Sequence, residues 1–187
     1  MPWIRTFTGK KFDFADVNPD SICLEDIAHG LAFTCRFGGH SNIFYSVADH
    51  SVYVANILLE EGHHDIIAKA GLLHDAAEAY IGDFVHPLKA YINYMTKDFL
   101  SELEANILDV IYCKYGIPRH FNLDKIEEAD KRMCLTEGQQ FLGADTSDWE
   151  FAGKYTPYDK KLRASSTPFN AMTRFLNTAK NLDIEGG

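Results

Sequence analysis

His74 and Asp75 stand side by side in an apolar helical run, Gly71-Leu72-Leu73-His74-Asp75-Ala76-Ala77-Glu78, with a second carboxylate one turn on. Burying an imidazole and a carboxylate together is costly unless something holds both. A divalent cation offsets that cost, and the chain offers two further ligands, His50 and Asp130. Two imidazoles and two carboxylates make a mixed nitrogen and oxygen site. It suits Mn, Co, Zn or Fe, and Mg less well. Four protein ligands leave about two positions open on a six-coordinate ion, one for water and one for a substrate oxygen. The chemistry expected is metal-dependent hydrolysis of a phosphate ester. Taken singly, each residue has a plainer role. A lone histidine on an apolar face is usually a hydrogen-bonded core residue, and a lone helical aspartate usually faces solvent. His63-His64-Asp65 follows Gly62 and fits a helix cap with surface polar residues.

Helices must bring these residues together, and the 3.6-residue period dominates the chain after residue 20. Before it, Thr6 to Phe12 alternates apolar and polar around Gly9-Lys10, which predicts a short hairpin. Leu24, Ile27, Ala28, Leu31 and Cys35 line the first helix, and Gly38-Gly39 breaks the chain after it. A second helix is expected from about Ser46 to Glu61, with His50 on its apolar stripe. A third runs from about His64 to Tyr80 and ends at Gly82. Pro87 suits the first turn of a short fourth helix. Thr96 could cap a fifth, which Gly116 and Pro118 end. Asn122 could cap a sixth, carrying Asp130 and reaching about Leu142. Residues 143 to 165 read as loop, and Thr167-Pro168 opens a last helix over about 167–182. The expectation is a single all-α domain over 1–187, with an extended segment at 1–20 and a core over about 22–142.

Composition narrows the partners. With 18 basic and 27 acidic residues the net charge is −9, so little counterion release is available for a nucleic-acid polymer. A small anion could still bind through a cation or a local basic cluster. Cys23, Cys35, Cys113 and Cys134 show no C-x-x-C spacing and are expected as small buried thiols in a reducing, cytoplasmic setting. No run approaches the roughly 20 apolar residues of a membrane span. The N-terminus lacks the apolar stretch of a signal peptide. Leu58 and Phe141 could be core or interface.

At His50, His74, Asp75 and Asp130 the sequence resembles the HD-domain metal-dependent phosphohydrolases, whose pattern is His…His-Asp…Asp. Asp49 to Ala55 and His74 to Lys89 look like the bacterial 5′-deoxynucleotidases, and equally like the phage dATP triphosphohydrolases. The resemblance covers roughly residues 22 to 137. It implies an HD-type helical bundle with one divalent cation on those four residues. It further implies acid/base and water-positioning roles for Glu78 and Asp83, and a phosphate contact for Arg36. Glu78 lies four residues after His74 and three after Asp75, on one helix face, and Asp83 follows a turn at Gly82. Either could instead be a helix-end or turn-stabilising carboxylate. Lys89 could reach distal phosphates, Lys131 is a weaker candidate, and Phe37 could stack on a base or belong to the core.

Ala79 stands where the alarmone hydrolases carry a further Asp, which argues against that branch. His86 and His120 do not fall at helical spacing for a second metal. The function expected is hydrolysis of a deoxynucleotide at its α-phosphorus, foremost dATP to deoxyadenosine and triphosphate. The alternatives are a 5′-deoxynucleotidase acting on monophosphates and a non-catalytic metal- or nucleotide-binding regulatory domain. A small-molecule nucleotide partner and a homo-oligomer are expected, with no nucleic-acid polymer and no membrane.

Overall fold

The helical period and the turn chemistry translate into a mostly helical architecture with one small hairpin. The structure, a computed structural model, describes residues 2–118 and 123–185. Asn122 and His120 lie outside the described residues. Strands β1 (Trp3–Arg5) and β2 (Lys11–Asp13) pair antiparallel with Ile4 opposite Phe12. Phe12 is fully buried and stacks at 4.0 Å on Tyr80, which anchors the hairpin to the helical core.

The helices are α1 (Leu24–Phe33), α2 (Val47–Glu60), α3 (Asp65–Leu73), α4 (Glu78–Ile81), α5 (His86–Thr96), α6 (Phe99–Lys114), α7 (Asp124–Glu137) and α8 (Pro168–Asn181). Ser46 caps α2 through Asp49 N, His64 caps α3 through Ile66 N, and Thr167 caps α8 through Asn170 N. Eleven of the fourteen residues of α2 are buried, so this helix is enclosed on all sides. It packs on α3, α7, α8 and α1. His50 therefore stands at the centre of the molecule. Leu58 and Phe141 both belong to the core.

Several boundaries differ from expectation. α1 stops at Phe33, and Cys35 forms an isolated bridge to Ser46 instead. The third helix is not continuous to Tyr80: it ends at Leu73 and resumes as α4. Thr96 does not cap α6. It is the last residue of α5 and its hydroxyl donates to the Ile92 carbonyl, while left-handed Asp98 precedes α6 without a side-chain cap. α7 passes into a single π-type turn over Gly138–Leu142. Residues 143–165 form no helix or strand. The four thiols are unpaired, but only Cys23 is buried; Cys35 and Cys113 are exposed. No helix among the described residues is long and apolar enough to cross a membrane.

One close approach fixes α4 against α1. A Cβ on Gly30 would stand 2.6 Å from the Ala79 carbonyl oxygen and 2.8 Å from its Cα. Backbone cannot yield as a flexible side chain can. Gly30→Ala is expected to cost about 2–3 kcal/mol in urea unfolding, as overpacking does. It should also displace Glu78 at the start of α4.

Candidate metal centre

Three helices deliver the site. α2 presents His50 and α7 presents Asp130, while the end of α3 presents His74 and Asp75. At that end the backbone tightens to three residues per turn: Ala76 N donates to the Leu73 carbonyl at 3.0 Å, and Glu78 N to the Asp75 carbonyl at 2.9 Å. The overwinding ends the helix where sequence periodicity predicted continuation. It also aligns Asp75 with Glu78, because residues three apart eclipse in such turns.

The histidines meet through their Nε2 atoms, 3.3 Å apart. His50 Nδ1 lies 2.7 Å from Glu137 Oε1, and His74 Nδ1 lies 2.7 Å from the Gly71 carbonyl. Both partners accept, so both Nδ1 atoms donate and each neutral ring aims an Nε2 lone pair into one shared space. Asp130 Oδ1 stands 3.1 Å from His50 Nε2 and 3.9 Å from His74 Nε2. One ligand atom from each of His50, His74 and Asp130 lies within 4.8 Å of the others. Asp75 borders this triad. Its Oδ1 is 3.2 Å from His74 Nε2 and its Oδ2 is 3.7 Å from His50 Nε2. Two facing lone pairs beside two carboxylates repel unless a cation sits among them. The donor set fits a divalent metal, and Nδ1 donation to a carboxylate or carbonyl is how metal-ligating histidines are oriented.

Glu137 was missed in the sequence. It is fully buried, and it accepts from Tyr45 Oη at 2.6 Å, His50 Nδ1 at 2.7 Å and Arg36 Nε at 3.1 Å. The signal existed: Glu137 follows Asp130 by seven residues, two helical turns on the same face. Tyr45, also fully buried, had no comparable mark.

Burial opposes ionisation here, and neighbouring charges overrule it at some groups only. Glu137 is held below the usual range by Arg36 and His50. Asp75 is lowered by His74 and His50, and Asp130 by its hydrogen bond and charge pairing with His50. Glu78 moves the other way. Burial, then Asp75 and Asp83, push it well above the ordinary value, and its Oε2 is shielded from solvent with no hydrogen-bond partner among the described residues. Asp83, just beyond α4, is also raised, by burial and then Asp75, against the pull of Arg36. Glu78 and Asp83 both feel the charge of Asp75.

The other predicted contacts divide. Arg36 is buried, and besides Glu137 it approaches Asp75 Oδ2 at 3.7 Å through Nη1. Phe37, next to it, adopts left-handed backbone (φ 56°, ψ 30°), a strained choice for a side chain with Cβ. Phe37 is half-buried and faces Trp149 at 6.3 Å. Lys131 Nζ pairs with Asp130 Oδ2 at 3.1 Å and lies over the Phe151 ring. Glu104 of α6 engages the Lys89 ammonium. His86 is exposed and pairs loosely with Glu150, outside the site.

His50 carries a measurable pH signature. Burial and Arg36 press its pKa down, but Glu137 and the Asp130 hydrogen bond raise it from 6.5 to about 9. In the metal-free protein a proton takes the cation's place. The raised pKa stabilises the fold fully below pH 6.5, and that stability is lost as pH climbs through about 9. Urea unfolding in excess chelator should show a decline on the order of 3 kcal/mol across that window. Loading with metal should flatten the decline, and a flat metal-free profile would remove His50 from this network.

The chain is 38% identical over 149 residues to the uncharacterized protein YfdR of Escherichia coli, covering 80% of this chain and 78% of that protein. It is 37% identical over 148 residues to the uncharacterized protein RCAP_rcc00048 of Rhodobacter capsulatus, covering 75% of this chain and 74% of that one. No protein-family model matches the chain.

Proposed function

We propose that this chain, which belongs to the family of the Escherichia coli protein YfdR, is an HD-type metal-dependent phosphohydrolase that cleaves a deoxynucleotide at its α-phosphorus. The foremost substrate is dATP, giving deoxyadenosine and triphosphate. One observation carries the proposal: His50 and His74 direct Nε2 at each other at 3.3 Å while both Nδ1 atoms are committed to acceptors. His50, His74, Asp130 and Asp75 would hold the ion, of the Mn, Co, Zn or Fe class. A divalent ion there supplies Lewis acidity toward a phosphate ester and its water nucleophile.

The chain's own residues supply the rest. Burial, Asp75 and Asp83 raise the Glu78 pKa well above the ordinary carboxylate value, so its carboxyl can give a proton to the departing nucleoside oxygen. Asp83, which shares the electrostatic field of Asp75 and Arg36, can orient the attacking water. Arg36 has Nε on Glu137 and Nη1 toward Asp75. Its Nη2 makes no hydrogen bond among the described residues and can meet a phosphate oxygen. Phe37, with Trp149 behind it, offers an aromatic face to a base. Lys89 and Lys131 are each paired with a carboxylate, Glu104 and Asp130, and either can contact the outer phosphates by exchanging that partner.

The test is a panel of each dNTP and dNMP with Mn or Co, with products resolved by chromatography. Nucleoside plus triphosphate, strongest from dATP, is the expected result. Turnover of monophosphates alone would replace the triphosphate reading with the 5′-deoxynucleotidase one. Metal-loaded protein that hydrolyses none of them would overturn the enzymatic proposal.

A further inference from the structure

A cavity of about 480 Å³ opens where the 143–165 loop runs into α8. It is lined by Lys160, Lys161, Arg163 and Arg174 together with Ser166 and Asn170, and by no carboxylate. That lining is unusual in a chain of net charge −9. Glu60 neutralises Lys160 through contacts of 2.6 and 2.7 Å. The side chains of Lys161 and Arg163 are exposed and make no ion pair among the described residues.

The scaffold around these cations is built and buried. Tyr53 Oη donates to the Arg163 carbonyl at 3.0 Å and accepts from Arg163 N at 2.6 Å, fixing the loop backbone against α2. Arg174 Nη1 donates to Asp49 Oδ1, and Ser165 Oγ reaches the same oxygen at 2.7 Å. Asp49 is fully buried and its neighbour is the metal-site His50. It orients Arg174 from beneath, and the guanidinium still offers donors, Nε and Nη2, that no acceptor among the described residues occupies. The N-terminal end of the fourteen-residue α8 adds positive potential beside Ser166.

We infer that this cavity is a second anion site that takes a phosphate group, distinct from the metal centre. Lys161, Arg163 and Arg174 supply charge-assisted donors, and Ser166 and Asn170 supply neutral ones. The volume suits a small ligand, and two cations without an ion pair, beside Arg174 held on Asp49, are too few for a nucleic-acid backbone. The phosphate could be inorganic or carried by a nucleotide.

Calorimetric titration with inorganic phosphate and, separately, dAMP tests this, the wild type and the double variant carrying metal and His74→Ala without it. Three proteins are compared: wild type, the Lys161→Ala/Arg163→Ala double variant and His74→Ala. Both residues of the double variant are exposed, so the fold should persist. Wild type and His74→Ala should share one binding event, weakened at least tenfold in the double variant and suppressed by added salt. Tighter binding of phosphate or of dAMP identifies the source. Binding unchanged in the double variant, or absent from wild type and His74→Ala alike, overturns the site. Nucleotide hydrolysis by the double variant should stay within about twofold of wild type. This outcome is independent of whether the metal centre proves catalytic.

Discussion

Glu78→Gln is expected to keep its metal and lose turnover. The substitution preserves shape and burial but removes the proton that the leaving oxygen needs. General acid catalysis contributes roughly 10²–10⁴-fold, so kcat should fall by that factor with little change in KM. The wild-type rate should also decline on the alkaline side as Glu78 ionises, because burial, Asp75 and Asp83 hold its pKa well above the ordinary value. The variant should lack that alkaline limb. Steady-state kinetics across pH, paired with metal analysis, makes the comparison. A variant with wild-type kcat would strip Glu78 of its role, and one that lost metal would make it a ligand.

His74→Ala is expected to abolish both metal and activity. It removes one facing Nε2 and also the partner that orients Asp75 Oδ1 at 3.2 Å. Hydrolysis should drop by more than about 10³-fold, since the loss falls on the ion itself. His74 sits at the end of α3 and, unlike His50, keeps some exposure to solvent, so the fold should survive. His50→Ala is the less clean experiment. His50 is fully buried, and its loss would leave Glu137 with one donor fewer in an enclosed site. Equal metal content in His74→Ala and wild type would contradict the assignment.

Much of this arrangement could be read from residue types and spacing. His50 on an apolar stripe, the His74-Asp75 pair and Asp130 among core residues all converge, because helices packed in so small a domain must share one interior. Ser46, His64 and Thr167 mark helix starts through side chains that accept backbone N–H groups. The break after Leu73 was hidden, since Ala76 and Ala77 suit a helix well. There, tertiary packing chose the tighter turns over local propensity. Thr96 looked like a cap, yet the chain reverses through left-handed Lys97 and Asp98. The Lys89–Glu104 pair was not legible, because the two residues, fifteen apart, meet only once α5 packs on α6. Glu137 was legible in principle from its two-turn spacing to Asp130. The basic cavity was not, because it joins loop residues near 160 to Arg174 on the last helix.

Anomalous diffraction from metal-loaded crystals, recorded at the absorption edge of the bound ion, tests the central claim most directly. The account predicts one strong peak per chain, within coordination distance of His50 Nε2, His74 Nε2 and an Asp130 oxygen, with Asp75 alongside. Absence of a peak there, with the two Nε2 atoms still facing each other at full metal loading, would contradict it.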